Sequence, residues 1–295
     1  MKMLQQEQQT AMIKMIVSMA IFGSIGFFTQ LSSLPSIELV FVRCICATVF
    51  LMVVWAMTGQ HKKEQWCKSE VFQTLLCGIF LVFNWVFLFK AFEETTVTVA
   101  ISVYHLAPVF VLLIGTIIYR EKLTMKTLIA ITLCFSGTVF ISDIDFTKPL
   151  TELLPIGVLW ALAAALFYAF LTLIGKGLKS LSAYATTFLQ TGLGSVILLP
   201  MVNFSEFQGL TPGNWVAILA TGIVHTGIVY VLYFDSLRFL STTIISVLVF
   251  LDPAIAIVLD VVFMDVRPNV MQSLGIFLIF IGMALTFMKF KRSAV

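Results

Sequence analysis

The sequence predicts an all-α integral membrane protein whose ten transmembrane helices form two inverted five-helix repeats. Three observations carry that expectation: the composition, a train of apolar runs of similar length, and the one-sided placement of basic residues between them. Hydrophobic residues make up 60% of the 295 and charged residues 11%, and the mean hydropathy is +1.04. Soluble domains carry near a quarter charged residues, so this chain lacks the polar surface that would hold it in water. Ten spans of roughly 20 residues each leave only short connections. The halves are expected at residues 1–147 and 148–295, together one membrane domain.

The first apolar run covers 12–31, behind a polar segment from Met1 to Thr10. That segment is a poor signal-peptide n-region, with Lys2 set against Glu7 and no small-residue cleavage pattern after Phe28, so a retained first helix is expected. The second run, 37–57, follows Ser32-Ser33-Leu34-Pro35, with Ser36 as its expected cap. Gln60-His61-Lys62-Lys63-Glu64 then separates it from the third, 72–92. The fourth covers 97–119, the fifth 124–142 behind Thr124, and Asp143 to Pro149 closes the first half. The second half runs 154–174, 183–202, 214–236, 242–263 and 270–288. Its breaks are Lys176-Gly177, Ser205 to Gly213 with the Thr211-Pro212 start signal, and Arg267-Pro268-Asn269.

Loop charges test this partition independently. With the N-terminus inside, fourteen of the eighteen lysines and arginines fall on the cytoplasmic side and only Lys148 and Arg267 on the other; Arg43 and Lys90 lie within or at the edge of spans. Glu93, Glu94, Asp143, Asp145, Glu152, Glu206 and Asp265 collect on the outer side. Such separation of signs sets orientation, with both termini cytoplasmic in the inner (cytoplasmic) membrane. The net charge of +3 therefore belongs to membrane orientation; basic residues occur in ones to threes and do not form a nucleic-acid face. The five cysteines, Cys44, Cys46, Cys67, Cys77 and Cys134, contain no C-x-x-C pair and read as small hydrophobes. No cofactor or metal is expected.

The chain also repeats itself. A shift of 145 places Phe89-x-Ala91 on Phe234-x-Ser236, Leu106-x-Pro108 on Leu251-x-Pro253, Gly137 on Gly282 and Phe22 on Phe167; a shift of 147 places Phe41 on Phe188. An odd number of spans per copy turns the second copy upside down. Inverted repeats are the architecture of secondary transporters, with the substrate site near the midplane between the halves.

Particular residues carry a family resemblance as well. Phe89-Lys90-Ala91-Phe92 leading to Pro108-Val109-Phe110-Val111, closed by Tyr119-Arg120-Glu121-Lys122-Leu123-Thr124, resembles the end of an EamA domain. The second copy, Phe234 to Pro253 and on to Asp265-Val266-Arg267-Pro268, is similar but one residue shorter after its proline. The resemblance covers nearly the whole chain, as two EamA repeats of the drug/metabolite transporter superfamily. It implies ten helices in two inverted bundles and movement of small metabolites, often amino acids. Two departures stand out: Tyr119-Arg120 replaces small residues before Glu121, and Asp252 stands before the second proline where an apolar or small residue is commoner.

Ionisable residues inside spans are costly, about 2.5–3.5 kcal/mol at least, so each is a site candidate. Asp252 precedes Pro253, whose missing N–H leaves a helical carbonyl without its donor; it suits a cationic group or a proton, or else a helix-joining bridge. Asp260 lies nearer the helix end, where it can snorkel. His105, matching Phe250 of the second repeat, can gate or exchange protons, or simply pack. Tyr104 beside it is expected to point to another face. Arg43 offers a bidentate fork for carboxylates, against a structural pair with Glu38 or with another helix. Glu38 is itself a proton-coupling candidate with Asp252 and His105, and Gln190 occupies the position equivalent to Arg43. Asn84-Trp85, Tyr168, His225, Tyr230 and Tyr233 supply the mixture of apolar faces and few polar groups that ligand pockets use. Lys90 is expected to pair locally with Glu93 or Glu94.

These features point to a secondary transporter of small metabolites such as amino acids, an exporter working by alternating access with proton exchange as one coupling mode. The partners expected are a small-molecule substrate and the bilayer, with the protein a monomer or homodimer. A multidrug or lipophilic-cation carrier is the alternative. An intramembrane enzyme is less favoured, since the three histidines lie far apart in sequence and no His-Glu-x-x-His or Gly-x-Ser-x-Gly pattern occurs. An ATP-driven pump lacks its Gly-x₄-Gly-Lys-Ser/Thr loop.

Overall fold

The computed structural model describes residues 2–94, 97–141, 156–263 and 267–287. Among them every regular element is a helix. The first rod is α1 (Lys2–Gly23) followed by α2 (Ile25–Ser32); α3 (Ser36–Thr58) and α4 (Lys68–Glu94) are the second and third. The fourth is split into α5 (Val97–Tyr104) and α6 (Ala107–Ile118), and α7 (Met125–Ile141) is the fifth. The later half comprises α8 (Ile156–Gly177), α9 (Ala183–Leu198), the pair α10 (Pro212–Gly222) and α11 (Val229–Leu237), the pair α12 (Thr242–Val249) and α13 (Leu251–Phe263), and α14 (Val270–Phe287). The described residues thus form ten rods, as the apolar runs predict. Five stretches, Gln6–Thr29, Ser36–Thr58, Lys68–Leu88, Ile156–Gly177 and Pro212–Leu237, are by themselves long and apolar enough to cross a bilayer.

The rods break where backbone chemistry requires it. α5 ends at Tyr104 and α12 at Val249, each four residues before a proline, Pro108 or Pro253. Those are the carbonyls that the missing proline N–H leaves without a helical donor. The break after Gly23 has no proline. There Ser24 donates twice to the Ile21 carbonyl, through its backbone N at 3.0 Å and its hydroxyl at 2.7 Å, closing a tight turn. Between α10 and α11 the helix widens into a π turn, Ile223–Ile228.

Start signals behave as the sequence suggests at two of three positions. Thr211 forms a reciprocal capping box with Asn214, and Thr124 accepts the Thr127 N–H at 3.3 Å. Ser36 is a correction: it is the first helical residue, Pro35 takes the cap position, and no side-chain cap bond forms. Lys90 pairs with Glu94 at 3.4 Å, one turn on, as expected. The loop at 143–149 and the side chains of Glu93, Asp260 and Asp265 lie outside the described residues.

The chain forms two compact units, Met1–Val86 with Phe170–Phe239, and Phe87–Ala169 with Leu240–Val295, so each unit draws on both halves of the sequence. Within the first, Thr48 of α3 bonds Thr191 of α9 at 2.9 Å, while a Cβ on Gly194 would lie 3.0 Å from Cys44 Sγ. Rising position in α3 meets falling position in α9, so these equivalent helices are antiparallel. The second unit repeats the relation in α7 and α14. A Cβ on Gly137 would meet the Gly275 oxygen at 2.5 Å, and one on Gly282 would meet the Ala130 oxygen at 2.6 Å. Cys134, fully buried, donates to the Ile279 carbonyl at 3.6 Å between them. Ala130 and Gly275 are repeat equivalents, as are Gly137 and Gly282, so the seam is self-complementary and inverted. Only small residues allow helices to approach this closely in lipid.

Glutamates at the ends of rods hold backbone N–H groups donated by the other half of the sequence. Glu121 accepts from Thr242 N at 3.1 and 2.9 Å and from its hydroxyl at 2.6 Å, capping α12. Glu64 accepts from Ser182 N and Oγ at the start of α9, and Glu70 from Lys179, Ser180 and Leu181 N. A carboxylate at a helix N-terminus is favoured by the dipole and satisfies orphan donors.

Candidate functional site

The first unit concentrates most of the sequence-predicted candidates around α3 and the π turn. A π turn exposes carbonyls to residues five positions later. Both His225 and Thr226 use this: His225 Nδ1 lies 3.2 Å from Ala220 O, and Thr226 Oγ1 donates to Thr221 O at 2.9 Å. Glycines let α3 lie against the turn. A Cβ on Gly222 would fall 2.4 Å from Cys46 Cβ, and one on Gly227 would fall 2.9 Å from the Phe50 ring.

This packing delivers Arg43 into the interior, where it is only 5% exposed. Its Nε donates to Thr226 Oγ1 at 3.0 Å, and its guanidinium carbon sits 5.2 Å from the Trp85 ring centroid. Among the described residues no carboxylate stands within ion-pair distance of it. Among the described residues one of its five N–H groups is used, and the two terminal nitrogens have no hydrogen-bond partner. Of the two structural alternatives, the pair with Glu38 does not form, since the Glu38 carboxylate, 6% exposed, accepts the Asn203 N–H at 3.0 Å, whereas the bond to Thr226 does join Arg43 to another rod. Trp85 in turn meets Tyr230 edge-on at 6.2 Å, and Tyr230 meets Phe22 at 5.3 Å and Tyr233 at 6.2 Å. Trp85 and Tyr230 are 145 positions apart, so repeat equivalents face each other beside the cation. The site that results is a buried guanidinium walled by aromatic rings.

His225 lies next to Thr226, with Nε2 at 2.9 Å from Ser24 Oγ and its ring 4.9 Å from that of Phe28. Tyr233 is anchored by a 2.7 Å bond with Thr172. Asn84 is 1% exposed beside Trp85 in sequence. Gln190 is equally buried, backs onto Gly78 of α4, and finds no hydrogen-bond partner for either amide atom among the described residues.

The second unit holds Tyr104, His105, Tyr168 and Asp252. His105 donates Nδ1–H to Ile101 O at 2.8 Å and stacks on Phe250 at 6.5 Å, again its repeat equivalent. Tyr104 packs edge-on both to His105 and to Tyr168, at 6.2 and 5.9 Å, because the chain turns at the break that follows it. Asp252 is half-buried in the first turn of α13 and makes no ion pair among the described residues. Sequence reasoning missed Ser24 and Thr226. The signals that mark them are the Gly23-Ser24 pair inside an apolar run and a threonine between Gly222 and Gly227.

A family model described as "EamA-like transporter family" matches residues 9–143 and again 155–288. The uncharacterized transporter YxxF of Bacillus subtilis (strain 168) is 61% identical over 284 residues, 96% of this chain and 91% of its own length. An uncharacterized transporter of Clostridium kluyveri is 23% identical over 278 residues, 90% of this chain and 87% of its own. A solved crystal structure superposes with a TM-score of 0.80, covering 97% of this chain and 99% of that one at 18% identity, and shares the fold.

Proposed function

This chain belongs to the EamA-like transporter family, and on that premise we propose that it carries small carboxylate-bearing metabolites such as amino acids. It is a multi-pass membrane transport protein and not an enzyme. The proposal extends to export across the cytoplasmic membrane by alternating access, with both termini cytoplasmic. The observation that carries the substrate class is Arg43, a cation 5% exposed whose forked terminal nitrogens meet no carboxylate among the described residues. An unpaired charge in a span is expensive, whereas a ligand carboxylate would take both terminal nitrogens in the bidentate geometry that suits guanidinium. The rings of Trp85 and Tyr230 beside it offer the apolar body of an amino acid a surface.

Purified protein in liposomes tests this. Saturable counterflow of at least one radiolabelled amino acid is expected, with loss in Arg43→Gln that keeps the monodisperse profile of wild type. A folded wild-type protein that moves no member of a complete amino-acid panel overturns the substrate class.

Asp252 favours a second reading. A half-buried carboxylate without an ion pair among the described residues suits a lipophilic cation. Resistance to such cations that is lost in Asp252→Asn and kept in Arg43→Gln would support a multidrug carrier in its place.

A further inference from the structure

Ile21 O, Ser24 Oγ, His225 Nε2, His225 Nδ1 and Ala220 O form one chain of polar contacts. Its links are 2.7 Å, 2.9 Å and 3.2 Å. Both ends are carbonyls, which only accept, so the three contacts need three protons between them. The serine hydroxyl supplies one and a neutral imidazole supplies one. The chain is complete only when the ring carries two, as imidazolium. In a neutral ring one contact must go without a proton: with Nε2–H it is the Ala220 contact, and with Nδ1–H it is either the Ser24–His225 contact or the hydroxyl contact to Ile21 O, which also accepts the Ser24 N–H at 3.0 Å.

The surroundings set what opposes that second proton. α2 and α10 carry no ionisable side chain. α1 carries Lys2, Glu7 and Lys14, of which Lys14 is ion-paired to Asp235 at 2.5 Å. α11 carries Tyr230, Tyr233 and that Asp235. α3 carries Glu38, held by Asn203, together with Cys44, Cys46 and Arg43. Burial opposes the second proton, and the charge held beside the ring is the Arg43 guanidinium, whose Nε is fixed on Thr226, the next residue along the π turn. A proton on His225 and the bare charge of Arg43 repel, and an anion on Arg43 removes the repulsion.

Resting on the reading of Arg43 as an anion site, we propose that His225 is a proton-binding site linked to it, so that substrate carboxylate and proton bind together. Ser24 is the positioning residue that completes the proton's hydrogen bonds. By reciprocity a given fold-change in proton affinity caused by the carboxylate equals the fold-change in carboxylate affinity caused by the proton. The contacts also join two irregular points of the backbone, the Gly23-Ser24 turn and the π turn, so that gaining or losing the proton acts where the rods bend most easily.

The three histidines of the chain make the test direct. Full-length protein labelled at histidine, in nanodiscs, is titrated by NMR; His225→Gln assigns the signal. In wild type, a mixture of amino acids near saturation is expected to raise the midpoint of His225 by about one pH unit, tenfold in proton affinity. Arg43→Gln without any amino acid is expected to raise it in the same direction, and Ser24→Ala to lower it. No change with Arg43→Gln overturns the linkage whatever the ligand. A shift with Arg43→Gln but none with amino acids supports the electrostatic link and overturns the carboxylate reading of Arg43, so the two failures are distinct. Measurements on wild type alone retain their force if a variant does not fold.

Discussion

At the scale of single residues, Arg43 concentrates the most chemistry. Its guanidinium lies over the Trp85 ring while Nε is spent on Thr226, a combination that an ammonium cannot reproduce. Arg43→Lys is therefore expected to keep the charge and still weaken substrate by roughly tenfold or more, the scale of one charged hydrogen bond of about 1.5–3 kcal/mol. The KM for counterflow reads this, and an unchanged KM would show that only the charge counts. Arg43, Trp85, Tyr230 and His225 were all legible in the sequence as polar or amphipathic residues inside apolar runs. Their neighbours Ser24 and Thr226 were not, because hydroxyls in lipid usually bond their own preceding carbonyls and leave no trace in hydropathy. Nor could sequence tell that Glu38 serves a loop N–H, since that depends on which segment folds over it.

Among elements, the seam between α7 and α14 depends on the absence of side chains. Gly137→Leu would drive a side chain into the backbone oxygen of Gly275, with a Cβ already at 2.5 Å. A loss of about 1–3 kcal/mol or more is expected as a lowered midpoint of thermal unfolding in detergent. Gly26 is the matched control. Nothing lies within 4 Å of a Cβ there, so Gly26→Ala should hold or raise the midpoint, by up to about 1 kcal/mol of helix propensity. Glu121→Gln should cost about 1–2 kcal/mol in the same assay, since an amide caps Thr242 without the charge. Prolines announced two of the breaks in the rods, because a missing N–H is visible in sequence. The π turn was not announced. It lies where Gly222 and Gly227 fit closely against Cys46 and Phe50, a long-range match that local periodicity does not encode.

For the whole molecule, ten rods were readable from hydrophobicity, and their inversion from an odd count per repeat. What could not be read is that each compact unit takes part of both halves. Hydropathy orders spans along the chain and is silent on which of them pack. Orientation is open to a direct check. Cys67 is exposed in the connection from α3 to α4, among Lys62, Lys63 and Lys68. A membrane-impermeant maleimide should label it in inside-out vesicles and spare it in intact spheroplasts, with Cys67→Ser as the control. Labelling confined to spheroplasts would reverse the proposed topology.

The seam of α7 and α14 also bears on heredity. In it a residue meets the counterpart of its partner: Ala130 faces Gly282, and Gly137 faces Gly275. Were both halves copied from one ancestral stretch of gene, each codon would have shaped both sides at once, and after duplication neither copy could drift alone. The glycine and alanine positions of the seam are small in both copies. Cys134 and Ile279, or His105 and Phe250, differ between the two copies while still touching. In such a seam the distance between two helices would set how freely two halves of one gene could diverge.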